Sequence, residues 1–321
     1  MTRYLVTGGA GFIGSHVARR LASEPGAHVT VFDNLTSGRL EHLDGLLGDG
    51  RVEVAEGDLK DLDAIVAAAQ GIDHAYHFAA NPDIAKAMVE PSVDFWEGTY
   101  LTNNLLEALR RAGVARLTYS SGSGVYGDIG EVPVQEDMPL RPVSPYGASK
   151  LSCEAMIGCY CHMFGLRALA LRFANVVGPL QTHGVAYDFI RRLRADPTAL
   201  DILGDGSQSK SYVHVDDVVA ALVGLFPHEG EPMRVANVAT EDYLTVREIA
   251  DMVVERLDLS DVEYRFGEGN RGWKGDVPVV RFDSSRARSL GWRNERTSRQ
   301  AMVDAIDAMV AQVDAEAAAH G

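Results

Sequence analysis

The chain has 321 residues, enough to bury a sizeable core in one large domain or two, and its 46% apolar content is that of a globular protein. With 45 Asp and Glu against 30 Lys and Arg, the net charge of -15 argues against nucleic acid and anionic membrane surfaces as partners. A polyanionic ligand would have to be met by cations placed one at a time. The three cysteines, Cys153, Cys159 and Cys161, form no Cys-x-x-Cys pair and crowd one helical stretch, so they read as thiols of a reducing compartment and no metal site is expected. No apolar run is long enough to span a bilayer and no leader precedes the first strand, which predicts a cytoplasmic protein.

Arg3-Tyr4-Leu5-Val6 suits a buried parallel strand. Thr7-Gly8-Gly9-Ala10-Gly11-Phe12-Ile13-Gly14 follows it, and Ile13, Val17, Ala18 and Leu21 then recur at helical spacing. A strand–glycine loop–helix unit with Gly8, Gly11 and Gly14 lets the backbone approach a pyrophosphate and aims a helix N-terminus at its charge. The next apolar run, His28–Phe32, ends in Asp33, about 20 residues downstream, where a ribose-binding acid belongs. Its carboxylate can accept from a 2′-hydroxyl and would repel a 2′-phosphate, so NAD is expected over NADP. Asn34 and Leu35 come next, and Arg39 is the nearest cation.

Strand-like and helical runs then alternate. Arg51–Val54 leads to Gly57-Asp58-Leu59 and a helix through about Gln70. Asp73–Ala80 is a strand with small residues at its end, followed by a helix through about Arg111. Arg116–Ser121, a helix over about 144–164 and a strand over 167–173 complete the series. This rhythm predicts the α/β class: a Rossmann-type doubly wound parallel sheet with ligands at the carboxyl ends of its strands, where Gly8, Asp33, Asp58, Ala79, Ser121 and Phe173 fall. Beyond Gly178-Pro179 the pattern is less regular, with a helix near 186–194, the turn Gly204-Asp205-Gly206, a strand–helix unit at 211–225 and a Gly/Arg/Trp-rich loop at 267–276. Residues 1–178 are expected to bind the dinucleotide and 179–321 to form a smaller C-terminal substrate-binding lobe, with 213–237 returning to the main sheet. The final Ala- and Asp-rich stretch reads as a surface helix that frays.

Tyr146 and Lys150 lie four apart on a predicted helix and so share one face. A tyrosine, with an ordinary pKa of about 10, is a poor base at neutral pH. An adjacent ammonium and a positive nicotinamide ring favour its phenolate, which can then take a hydroxyl proton while hydride leaves for NAD. Such a pair alone is commonly a surface feature. Downstream of a dinucleotide motif and a Ser120-Ser121-Gly122-Ser123 strand end, it points to catalysis.

With these motifs the chain closely resembles the extended short-chain dehydrogenase/reductase family, and within it the nucleotide-sugar epimerases and dehydratases. The resemblance covers nearly the whole length through Thr7–Gly14, Gly57-Asp58-Leu59, His77-Phe78-Ala79-Ala80, Val125-Tyr126-Gly127, Tyr146 and Lys150, Leu171–Asn175, Gly204–Asp217 and Arg271–Pro278. It implies a retained NAD that oxidises the C4 hydroxyl of a UDP-sugar and is later reduced back. Asp58 and Leu59 would contact adenine, Ala79 and Ala80 line the cofactor, and Phe173 pack near nicotinamide. Asn175, Tyr212, Arg271 and Asp276 would face the nucleoside diphosphate. Asp83 and Lys86 lie on a loop that approaches the sugar in relatives, as candidate acid/base groups or as a solvated pair. His183 could touch substrate or sit on the surface, His214 packs at a strand–helix turn, and Trp273 either stacks on the ligand or fills the lobe. Cys159 and Cys161 are assigned to helix faces used for dimerisation, which implies a homodimer.

Two departures from the family pattern matter. Gly122 stands where the family usually has a Ser or Thr that binds the reacting hydroxyl, so Ser121 or Ser123 would have to substitute; Gly98 stands where Asn is usual. Typical 4,6-dehydratases carry Asp-Glu immediately before Val-Tyr-Gly, and decarboxylases carry Glu there, whereas this chain has Ser123 and Gly124. The first expectation is 4-epimerisation of a UDP-hexose or UDP-N-acetylhexosamine through a 4-ketone. Elimination is the alternative: a 4,6-dehydratase, or a UDP-GlcNAc 5,6-dehydratase like that of tunicamycin biosynthesis. A non-catalytic NAD-binding sensor is a third reading, opposed by the presence of both Tyr146 and Lys150.

Overall fold

The computed structural model describes residues 1–48 and 50–320. Its frame is a seven-stranded sheet built from β1 (Thr2–Thr7), β2 (Ala27–Asp33), β3 (Val52–Glu56), β4 (His74–His77), β5 (Arg116–Gly122), β6 (Arg167–Phe173) and β7 (Met233–Val238). The spatial order is β3-β2-β1-β4-β5-β6-β7, and every pairing from β3 across to β5 is parallel. The order reverses between β1 and β4, which opens a crevice at their carboxyl ends. Leu5, Val6, Val29, Val31, Ala75 and Leu117 are inaccessible to solvent, as strands covered on both faces require.

The helices begin and end where the local chemistry dictates. Helix α1 (Phe12–Ala22) springs from the glycine loop, and α2 (Leu62–Ala68) starts at Asp61, whose carboxylate accepts from the Asp63 and Ala64 amides. Helix α3 (Tyr100–Ala112) ends at Gly113, in the left-handed conformation. Ser144 caps α4 (Pro145–Phe164) by accepting from the Gly147 amide, Pro145 fills the first turn, and left-handed Gly165 closes the helix. Cys153, Ile157 and Cys161 of α4 pack into the same apolar cluster as Leu105 and Leu109 of α3. Cys159 is exposed, and burial pushes the Cys161 thiol up to about 11.

The chain divides into two compact units, and not at a single cut. One comprises 1–125, 139–172 and 219–236; the other comprises 126–138, 173–218 and the chain from Asn237 onward. In the second, helices Val185–Ala195, Val246–Arg256 and Ser298–His320 enclose their own core. Thr245 and Glu248 form a reciprocal capping box at the start of the middle one. The last helix corrects the expectation of a surface element. Ala301, Met302, Ala305, Ile306 and Met309 are fully buried, because they recur at helical spacing and give it an apolar face against the other two. Among the described residues, no helix is long and apolar enough to cross a membrane.

Candidate functional site

At the carboxyl end of β1 the loop leaves no room for a side chain at Gly8 or Gly14. Gly8 has φ +70°, and a Cβ there would lie 2.6 Å from the Ala79 nitrogen; a Cβ on Gly14 would lie 2.2 Å from the Gly8 carbonyl oxygen. Gly11 caps α1 with no side-chain hydrogen bond, and the first turn, with Phe12 buried and Ile13 half-buried, holds no acid. Its free amides are left for an anion. Asp33 ends β2, where its carboxylate accepts from the Ala10 amide (2.9 Å) and the Leu35 amide (2.9 Å). These bonds hold the acid to the glycine loop and leave lone pairs for ribose hydroxyls. Asn34 donates to Asp58 (3.2 Å), which also accepts from the Lys60 amide (2.8 Å), and Leu59 is buried beside them. Glycine approach, uncapped helix start and strand-end acid together fit a dinucleotide of the NAD type.

Next to this cradle Ala79, Ala80, Asp94, Tyr146, Ser149 and Lys150 line one cavity. The Tyr146 side chain is half-buried, and the Lys150 ammonium, 6% exposed, lies 5.6 Å from its ring centroid. Lys150 donates to the Ser120 carbonyl (2.8 Å), so β5 fixes the cation while α4 fixes the phenol. His77 bridges Thr7 (2.7 Å) and Thr102 (3.0 Å) behind the cavity; burial, aided by the Lys150 charge, depresses it to about 3, and it stays neutral at physiological pH.

The residues around Gly122 separate sharply. The Ser121 hydroxyl donates to Glu154 (2.5 Å), which is itself held by Arg172 through two bonds (3.0 and 2.7 Å). That hydroxyl is committed to a buried ion pair. Ser123 opens a short 3-10 turn, Ser123–Val125, is half-buried, and finds no hydrogen-bond partner among the described residues. A Cβ on Gly122 would meet nothing within 4 Å. The turn is locked to α4 by backbone contact, since a Cβ on Gly147 would lie 2.3 Å from the Gly124 oxygen.

Asp83 caps the 3-10 turn Ile84–Met88, accepting from the Ala85 (3.1 Å) and Lys86 (3.2 Å) amides, and Lys86 pairs with Glu90 (3.2 Å) on the surface. Neither is among the residues lining the cavity. In the second unit, strand Asn175–Val177 pairs with Tyr212–His214 so that Asn175 lies opposite Tyr212. Burial pushes the Tyr212 phenol up to about 12, moderated by a hydrogen bond with Asn175. Arg271 donates to the Asp276 carbonyl (2.5 Å) and pairs with Asp128, while the Asp276 carboxylate binds Lys210 (2.6 Å) and the Gly272 amide (3.1 Å). His214 is buried against Asp216 (3.3 Å), and Trp273 folds onto Gly275 within its own loop.

Reading the sequence missed Asp94, Ser149, Glu154 and Lys210. Lys210 carried a signal, being one of few lysines in an acidic chain and lying two residues before Tyr212. The others become visible only when distant segments meet.

Residues 4–239 match the family described as NAD dependent epimerase/dehydratase. The chain belongs to that family. A UDP-glucose 4-epimerase of Mycolicibacterium smegmatis is 35% identical over 298 residues, covering 91% of this chain and 93% of that one. A crystal structure of a UDP-galactose 4-epimerase has 39% identity and a TM-score of 0.87, with 97% of this chain and 100% of that one covered. A dTDP-glucose 4,6-dehydratase from Streptomyces venezuelae, solved with NAD bound, has 28% identity and a TM-score of 0.88, with 95% and 96% covered. The protein is thus an NAD-dependent nucleotide-sugar enzyme of this family. Both reactions occur on the fold, so the choice between them falls to the residues of the site.

Proposed function

We propose that this enzyme catalyses NAD-retaining 4-epimerisation of a UDP-hexose or UDP-N-acetylhexosamine. The observation that carries this reading is the strand-end turn beside Tyr146. Ser123 and Gly124 occupy the positions where eliminating relatives carry acids, and a Cβ on Gly124 would already press on Gly147 Cα at 3.2 Å. Neither residue offers the carboxylate that C5 or C6 chemistry uses there in those relatives. The M. smegmatis relative, a UDP-glucose 4-epimerase, and the similar UDP-galactose 4-epimerase structure agree with this reading.

NAD, when bound, supplies an acceptor for the C4 hydride and gives the same hydride back. Tyr146 accepts the C4 hydroxyl proton and holds it while the sugar is a ketone. Lys150, anchored on the Ser120 carbonyl, keeps positive charge beside the phenol oxygen as it loses its proton. Ser123 takes over the hydroxyl contact that residue 122 cannot make, since the Ser121 hydroxyl is spent on Glu154. The ketone then turns over, receives hydride on its opposite face and recovers its proton from Tyr146. In this reading Gly8, Gly11, Phe12, Ile13 and Gly14 hold the pyrophosphate of the cofactor and Asp33 its adenosine ribose. Asn34, Asp58 and Leu59 flank adenine, and Ala79, Ala80 and Phe173 line the nicotinamide half. Asn175, Lys210, Tyr212, Arg271 and Asp276 face the nucleoside diphosphate, and Gly122 borders the sugar. A cytoplasmic homodimer belongs to the same reading. Phe95, Trp96, Met163 and Phe164, each about half or more exposed, supply apolar surface for it.

The test is NMR of the product after separate incubation with UDP-glucose, UDP-GlcNAc and UDP-glucuronate. Inversion at C4 of at least one is expected. An alkene or a 6-deoxy-4-keto sugar would replace this reading with elimination.

A further inference from the structure

Lys150 is a buried cation, and a buried cation requires a counter-charge. Its one hydrogen bond is to a neutral carbonyl, that of Ser120. Glu154, one helical turn on, is not available, because Arg172 and Ser121 engage both of its oxygens. Among the described residues, the carboxylate that lines the cavity is Asp94, only 2% exposed. Asp94 stands in a helical turn immediately before the π-helical turn Phe95–Thr99 that leads into α3; the amides of Phe95 and Trp96 are bonded to the Ser92 carbonyl, so its side chain is not engaged in capping. One carboxylate oxygen accepts from Asn81 (2.9 Å), and the other is buried without a partner among the described residues. Ser149 ties the backbone of this residue to α4 by donating to the Asp94 carbonyl (2.7 Å). An ionisable group kept half-satisfied in a closed site, against the cost of desolvation, is characteristic of functional positions.

We propose that Asp94 is the counter-charge of Lys150: both line one cavity, and its unpartnered buried carboxylate oxygen acts on the ammonium across that space, without a direct ion pair, as a positioning residue for the cation beside Tyr146. The other ionisable groups around it leave this role open. From β4, His77 is neutral, and from β5, Tyr119 is held protonated by burial. Tyr146 shares the cavity from α4; Asp83, beyond Asn81, repels Asp94; and Lys60 and Glu97 neutralise each other nearer the surface. Burial raises the Asp94 carboxyl above its ordinary range, while Asn81 and the Lys150 charge pull it back. This coupling is what can be measured.

The inference rests on Tyr146 and Lys150 as the reacting pair, but its test needs no sugar. The full chain, saturated with NAD, is titrated by infrared difference spectroscopy, following the C=O band of a protonated carboxyl. Asp94→Asn identifies the band by removing it; Asp94→Leu, of similar volume and also uncharged, does so if the first variant does not fold. Lys150→Met deletes the cation. The expected result is a carboxyl in the parent that protonates above the usual aspartate range, is missing from the Asp94 variants, and binds its proton about tenfold more tightly, one pH unit higher, in Lys150→Met. A midpoint unmoved by Lys150→Met, or a band that survives in the Asp94 variants, overturns the proposal whatever sugar the enzyme uses. Once a substrate is turned over, the acid-side fall of kcat in the parent should be absent from Asp94→Asn. Persistence of that limb in the folded variant counts against the proposal equally.

Discussion

Gly98 and Gly122 both stand where the family generally carries a polar side chain, and the structure treats the two losses in opposite ways. At Gly98 the space is taken: a Cβ would lie 2.4 Å from the Ser149 hydroxyl, which donates to the Asp94 carbonyl (2.7 Å) and shares a hydrogen bond with Thr99 (2.9 Å). The backbone there runs through a π-helical turn, a wider coil that admits a neighbour where an ordinary turn would not. At Gly122 nothing has moved in, and a Cβ would find open space. A glycine that replaces a functional residue therefore has two physical meanings. One is compensated within the fold; the other leaves a position to be filled by ligand.

The comparison matters only if the pair Tyr146 and Lys150 drives the reaction, and the largest expected effect is there. Tyr146→Phe removes the proton acceptor and little volume. Its kcat should fall by about 10²–10⁴-fold, the usual worth of a positioned acid–base group, while the nucleotide sugar still binds. Lys150→Ala should come close, because it also deletes the bond to the Ser120 carbonyl. Steady-state kinetics with a bound-sugar assay separates the two quantities. Turnover by Tyr146→Phe at the parent rate would remove the reason to treat either glycine as part of a site.

The intermediate effect is on stability. Gly98→Asn must displace Ser149, and overpacking of this kind costs about 1–3 kcal/mol. Ser149→Ala introduced alongside should recover part of that cost, since it removes the atom the new side chain meets first. Urea denaturation of the two single variants and the double variant measures the coupling. If Gly98→Asn is as stable as the parent, the space at 98 is not closed and the contrast with 122 fails.

How far the sequence could be read follows from the range of the forces involved. The sheet was legible because alternating strand and helix runs are local patterns. So was α4, whose Ser144-Pro145 start and Gly165 end are punctuated by residues with one physical use each. The cofactor cradle was legible because Gly8, Gly14 and Asp33 answer to geometry within a single strand–helix–strand unit. Ser121 shows where such reading stops. Along an extended strand Ser121 and Ser123 would share a face. Instead β5 ends at Gly122, the next residues coil, and the partner that claims the Ser121 hydroxyl is Glu154, far away in sequence. Nothing in the run Asp94-Phe95-Trp96-Glu97 marks its aspartate as buried, and Phe95 and Trp96 are themselves half-exposed. Only the packing of Asn81 and Ser149 around it makes Asp94 a buried charge. The core role of the last helix was hidden because the many Ala and Asp residues of the stretch as a whole dilute the signal of Met302, Ile306 and Met309, which face the core.

The smallest structural effect, and the sharpest functional one, is expected from Gly122→Ser. The backbone at 122 is not in the left-handed region and the Cβ direction is open, so the variant should fold with stability within about 0.5 kcal/mol of the parent. That makes its chemistry interpretable. In an epimerase whose hydroxyl contact has passed to Ser123, restoring the family hydroxyl at 122 should leave C4 inversion intact or raise its rate, and the product formed in deuterated water should carry no deuterium at C5. In an eliminating enzyme the C4 ketone acidifies the C5 proton, the C6 hydroxyl leaves as water, and C6 needs the room that glycine provides. The same substitution would then slow the reaction, and the parent would give an alkene or a 6-deoxy-4-keto sugar. Ser123→Ala completes the argument. If Ser123 has taken over the contact, its loss should cost turnover in the parent and much less in the Gly122→Ser background, where the hydroxyl has been put back. Equal losses in both backgrounds would mean that the open space beside Gly122 is not where the reacting hydroxyl is held.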